Sequence, residues 1–110
     1  MNIQKISSRD NQKFKFAKSI RDGREKTRIF VEGLRLCEET LRANLRIESV
    51  FFTQKFSASD RGLSLIETLS QMNVELLEVP EQIFDSLSDT KTSQGIVLIC
   101  DRPVSDLKNI

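Results

Sequence analysis

The chain has 110 residues, 38% of them hydrophobic and 30% charged, which fits one globular domain and excludes an intrinsically disordered segment. No apolar run approaches the roughly 20 residues of a membrane-spanning helix, and the N-terminus MNIQKISSRD lacks the apolar stretch of a secretory signal, so no membrane partner and a cytoplasmic location are expected. The net charge is only +1, but nine bases face three acids from Met1 to Arg28 while eight face thirteen from Ile29 onward, an asymmetry that points to a polyanionic partner or to a solvated basic helix.

In chain order, NQKFKFAKSIRDG predicts a first helix, closed by Gly23 at the C′ position. Phe14, Phe16, Ala17 and Ile20 share one arc of its wheel, and Lys15 and Lys18 lie opposite. TRIFVEG reads as a short strand, and GLRLCEETLRAN as a helix with apolar residues at a 3.6-residue period. IESVFFT is a strand whose Val50, Phe51 and Phe52 suit the interior of a sheet. SASDRGLSLIETLSQMN predicts a helix capped by Ser59 or Asp60, with Gly62 weakening its first turn. VELLEVP is a third strand, Pro80 suits the first turn of the helix PEQIFDSLSD, and GIVLICD is a fourth, central strand. The alternation predicts an α/β fold, a three-layer α/β/α sandwich around a largely parallel or mixed four-stranded sheet. The last residues, DRPVSDLKNI, have linker composition. The expected organisation is therefore one domain over 1–102, with 103–110 opening a linker to a further domain.

The residues that catalysis usually needs are missing. There is no histidine, no Gly-rich phosphate loop, no paired-Cys motif and no G-x-S-x-G elbow. Cys37 and Cys100 are far apart in apolar patterns, which reads as two buried thiols rather than a metal site. No catalytic residue, cofactor-binding residue or metal ligand is assigned, and a binding module is the stronger class.

Three features could serve binding. The basic segment running into RDGREKTR offers Lys and Arg to phosphates or to solvent. The Glu32-Gly33 junction places a carboxylate at a helix start, where it favours the dipole, and a residue free to turn tightly. The polar loop SDTKTSQG, residues 88–95, carries donors that suit phosphate, ribose hydroxyls or base edges, and is equally ordinary turn chemistry.

Taken in order, these features resemble the N-terminal substrate-binding domain of the SpoU/TrmH-type RNA 2′-O-ribose methyltransferases. That family's pattern begins with a Ser, an Asn and a Lys, here Ser7 or Ser8, Asn11 and Lys15. It continues through a basic loop into F-x-E-G, here Arg24, Phe30, Glu32 and Gly33. It ends in T-x-T-P-Q-G-I, matched by Thr90, Lys91, Thr92, Ser93, Gln94, Gly95 and Ile96, with Ser93 where Pro is usual. The resemblance covers about Ile6 to Cys100. It implies a domain similar to ribosomal proteins that bind kinked RNA. It also implies a separate knotted domain that binds S-adenosylmethionine, carries the catalytic residues and forms the homodimer. The segment itself would be a monomer without cofactor.

The expected function is recognition of an rRNA or tRNA substrate for ribose methylation. The residues expected to face RNA are Asn11, Lys15, Lys18, Arg24, Lys26, Arg28, Lys91, Thr92 and Gln94, on the expectation that the basic loop and the TKTSQG loop share one edge of the sheet. Two alternatives stay open: a free-standing RNA-binding protein of the ribosomal kind, and a domain whose basic face docks an acidic protein.

Overall fold

A computed structural model describes residues 2–102 of the chain. The expected linker at 103–110 lies outside the described residues. Ten elements follow one another: β1 (Ile3–Lys5), α1 (Gln12–Arg21), β2 (Arg28–Glu32), α2 (Leu34–Arg42), β3 (Ile47–Phe52), α3 (Gln54–Ala58), α4 (Asp60–Ser70), β4 (Glu75–Glu78), α5 (Glu81–Phe84) and β5 (Ile96–Asp101).

The sheet has five strands rather than four, in the order β1-β4-β3-β5-β2. The additional strand, β1, is a three-residue edge whose only half-buried side chain is Ile3, too short to show alternation in sequence. β1, β4 and β3 are parallel, while β5 runs antiparallel to both β3 and β2, so the sheet is mixed. A second element the pattern did not predict is α3, five residues long, with Phe56 its one buried residue. Thr53 caps it by accepting from the Phe56 amide at 3.2 Å.

The three-layer arrangement follows from the alternation along the strands. On β5, Ile96, Leu98 and Cys100 face a core with Leu65, Ile66 and Leu69 of α4 and Cys37 of α2. Val97 and Ile99 face the opposite core, with Phe14, Ala17 and Ile20 of α1 and Phe84 of α5. β5 is thus apolar on both faces because helices cover both. The end of α1 is a Schellman motif: Gly23, at φ +79°, donates to the Ile20 carbonyl, and Arg24 donates to that of Ser19.

Candidate nucleic-acid interface

Strand direction decides which loops can cooperate. β1, β2, β3 and β4 all end at one edge of the sheet, at Lys5, Glu32, Phe52 and Glu78, and β5 starts there at Ile96. α2, α3 and α5 therefore begin at this upper edge, each directly after a strand. Helix N-termini carry partial positive charge, and here first-turn amides of α2 and α3 are capped by Gln94 and Thr53.

The Glu32-Gly33 junction ties the edge together. Gly33 sits at φ +100°, ψ 146° as the N-cap of α2, a conformation that side chains disfavour, and it has no capping side chain of its own. Gln94 supplies the cap across the sheet, its Oε1 accepting from the Leu34 amide at 2.9 Å. The Gly33 amide donates to the Ile96 carbonyl at 3.2 Å, and the Thr53 amide to that of Gly95 at 3.0 Å. Beside them the Glu32 carboxylate accepts from the Ser88 hydroxyl and, at 2.9 Å, from the Asp89 amide. The sequence motif thus anchors the 88–95 loop, and the Glu32 side chain is spent on that loop rather than on the α2 dipole alone.

The candidate residues divide into groups. Lys91 and Thr92 are exposed on the anchored loop, next to Gln94. Asn11 is the N-cap of α1, its Oδ1 accepting from the amides of Lys13 at 2.9 Å and Phe14 at 3.2 Å. Lys15 is exposed, with Nζ 4.0 Å from Asp10. Lys18 lies with Nζ 6.0 Å from the Phe14 ring centre. Arg24 and Lys26 are exposed and have no carboxylate partner among the described residues. Arg28 is occupied: its Nε is 2.9 Å from Glu48 and 3.4 Å from Asp101, and its guanidinium lies 5.7 Å from the Phe16 ring centre. The bond to Glu48 holds its pKa above the ordinary arginine value.

The expectation of one shared edge for the two loops is corrected by the register. Arg28, where the basic loop ends, pairs with Asp101, whereas Glu32, beside the TKTSQG loop, pairs with Val97. The two loops therefore join the β2–β5 ladder at opposite ends, because each leads into the start of its own strand and the two strands are antiparallel. The start of the basic loop is nevertheless tied to the segment before residue 88. Arg21 donates from Nη1 to the carbonyls of Ser86 at 2.5 Å and Leu87 at 3.1 Å. The fold thus places the C-terminal end of α1 beside the turn that Glu32 holds.

Sequence reasoning passed over several cations. Lys55 lines a cleft of about 320 Å³ at the upper edge, together with Leu34, Phe56, Phe84, Asp85 and Gln94. With Lys5 it also lines an adjoining cleft of about 700 Å³. Neither lysine has a carboxylate within ion-pair distance among the described residues. Arg35, Arg42 and Arg61 meet around Glu38 between α2 and α4, beside Gln94. Arg61 pairs with Glu38 at 2.8 Å and Arg35 with Glu39 at 3.9 Å. No sequence signal marks these residues as a set, since only the strand order brings positions 5, 55 and 94 to one edge.

Burial pushes the thiol of Cys37 up to about 12 and that of Cys100 to about 11, so neither offers a thiolate near neutrality. No group of three or more His, Cys, Asp and Glu gathers among the described residues to hold a metal ion.

A mixed sheet between two helical layers, with an anchored polar loop at the strand ends, defines a domain of the α/β class. Residues 30–104 match the family model described as RNA 2′-O ribose methyltransferase substrate binding, and the chain belongs to that family. Its fold is similar to an S-adenosylmethionine-bound rRNA methyltransferase from Sinorhizobium meliloti, at TM-score 0.74 and 18% identity over 98% of this chain and 40% of that one. It is also similar to an RNA 2′-O ribose methyltransferase, at TM-score 0.72 and 22% identity over 91% and 38%. A third similar structure is the SpoU methyltransferase AviRb from Streptomyces viridochromogenes in complex with S-adenosylmethionine, at TM-score 0.71 and 16% identity over 91% and 38%. At these identities the likeness is one of fold. The chain spans about two-fifths of the length of these structures. None of the curated proteins matches it.

Proposed function

We propose that this chain recognises the RNA substrate of an S-adenosylmethionine-dependent rRNA or tRNA 2′-O-ribose methyltransferase. Methyl transfer, cofactor binding and homodimer formation belong, in this reading, to a separate catalytic domain. The observation that carries the proposal is the family match over residues 30–104. The site chemistry supports it. Lys91 and Thr92 stand on a loop fixed by Glu32 and Gln94, Lys5 and Lys55 lack acidic partners among the described residues, and α1 with its following loop presents Lys15, Lys18, Arg24 and Lys26. Arg28 and Asn11 contribute by holding the fold rather than by contact, since their side chains are already engaged.

Binding through such a surface is dominated by phosphate contacts. About three or four of them give a log–log salt slope of roughly −2 to −3, which is about a 20- to 60-fold loss of affinity between 50 and 200 mM salt. Fluorescence anisotropy of the chain with labelled tRNA and rRNA fragments measures this. A flat salt response, or no binding at the lower salt, would overturn the proposal.

A further inference from the structure

We infer that the groove between α2 and α4, where Arg35, Arg42 and Arg61 meet, is a second contact site for the RNA phosphate backbone. The inference rests on the RNA-binding reading above and extends its surface from the 88–95 loop onto the two helices. Arg35, Glu38 and Arg42 stand at positions i, i+3 and i+7 of α2, so they form one stripe over two helical turns, about 10 Å long. Arg61, in the first turn of α4, reaches across to that stripe, its Nη2 donating to Glu38 Oε1 at 2.8 Å. The groove between them holds about 420 Å³, and its walls are Leu34, Arg35, Glu38, Arg42, Arg61 and Gln94. It continues along the same two helices past Ser64 and Thr68.

Charge and exposure decide what such a groove can hold. Three guanidiniums face one carboxylate inside it, and Glu39 stands outside its walls, 3.9 Å from Arg35. Arg42 has no carboxylate within ion-pair distance among the described residues. Ion pairing does not use up the other two. The side chain of Arg28 is 31% exposed between Glu48 and Asp101, whereas those of Arg61 and Arg35 are 70% and 91% exposed. A guanidinium has five N–H donors, so the bond from Arg61 to Glu38 leaves four and fixes the side chain that carries them. Gln94 adds an amide nitrogen without a hydrogen-bond partner among the described residues, its Oε1 being the cap of α2. An excess of donors with one apolar wall residue, Leu34, suits a polyanion. A protein partner would need apolar anchors, and the exposed Leu36 and Leu63 are not among the walls. Gln94 belongs to the loop that carries Lys91 and Thr92, so loop and groove are continuous and one RNA strand can follow both.

The test is fluorescence anisotropy with labelled tRNA and rRNA fragments, over the same salt range, on Arg35→Gln, Arg42→Gln and Arg61→Gln. Each is expected to weaken binding about fivefold and to make the log–log salt slope shallower by about 0.7–0.9, the share of one phosphate contact. Arg42→Lys keeps the charge and is expected to keep the slope of the unaltered chain while losing part of the affinity, since an ammonium offers no fork. Melting temperatures are expected to stay near that of the unaltered chain, because exposed ion pairs contribute little to folding. Unchanged affinity and slope in all three Gln variants, with Arg24→Ala or Lys91→Ala weakening binding, would overturn the groove and leave the RNA-binding reading standing. A slope as shallow in Arg42→Lys as in Arg42→Gln would overturn it as well, because a phosphate contact depends on the charge. Unchanged RNA binding alongside weakened binding of polyglutamate by the same variants would assign the groove to an acidic protein instead. Failure of the unaltered chain to bind any of these RNAs would overturn both readings.

Discussion

Gly33→Ala tests whether the Glu-Gly junction is held as the geometry shows. At φ +100° and ψ 146°, position 33 lies in a region where a side chain costs about 1–3 kcal/mol. The added Cβ would stand 3.2 Å from the Oε1 of Gln94, tighter than ordinary van der Waals contact. That oxygen caps α2 through the Leu34 amide at 2.9 Å, and displacing it forfeits about 1 kcal/mol of capping. The two effects together predict about 2–4 kcal/mol of destabilisation, or about 9–17 °C in Tm for a domain of this size. Gln94→Ala alone removes only the cap and is expected to lose about 1 kcal/mol. The double variant distinguishes the contributions. Once Gln94 is gone, the alanine at 33 meets no oxygen and displaces no cap, so the double variant is expected to match Gly33→Ala within a few tenths of a kcal/mol. Urea denaturation followed by circular dichroism measures all three. A Gly33→Ala loss below about 1 kcal/mol would refute the strain argument, and full additivity would refute the coupling to Gln94.

Arg24→Ala and Lys91→Ala are each expected to weaken RNA binding by about 1 kcal/mol, read by anisotropy, with Tm nearly unchanged because exposed charges contribute little to folding. Isothermal titration of the chain with S-adenosylmethionine is expected to show no saturable binding in the micromolar range. The two thiols give an alkaline signature. Burial raises Cys37 to about 12 and Cys100 to about 11, whereas unfolded thiols ionise near about 8.5. Above that pH the unfolded chain holds fewer protons than the folded one, so stability is expected to fall as pH rises from about 8.5 toward 11. Urea midpoints at pH 7.5 and 10 check the direction, and a midpoint that rises with pH would contradict it.

Much of the fold was legible because its longer elements state their own periods. α1, α2 and α4 each show an apolar stripe with a cap or a stop, and β3 and β5 are continuous apolar runs. What escaped was short. β1 has three residues and α3 has five, too few for either period to repeat. Gly62 is instructive in the other direction. It reads as a weak point in α4, yet a Cβ there would lie 2.0 Å from the Phe56 carbonyl, so the close approach of α3 and α4 requires its absence. Nothing in the local sequence shows that contact, because the helix that makes it was itself invisible.

The site was legible where residue chemistry is local and hidden where it depends on strand direction. The F-x-E-G and TKTSQG segments could be read as a pair, and the fold joins them through the Glu32–Asp89 and Gln94–Leu34 hydrogen bonds. Antiparallel β5 is what makes this possible, since it brings the loop before Ile96 to the edge where β2 ends. The same reversal carries Arg28 to the far end, into ion pairs with Glu48 and Asp101. A run of basic residues in sequence is therefore not a run of basic residues in space. Two cations that do stand at the upper edge, Lys5 and Lys55, come from β1 and α3, the two elements too short to be read. The elements and their lysines escape the sequence pattern for the same reason. The upper edge of this domain is assembled from strand ends, and each strand end contributes too few residues to announce itself.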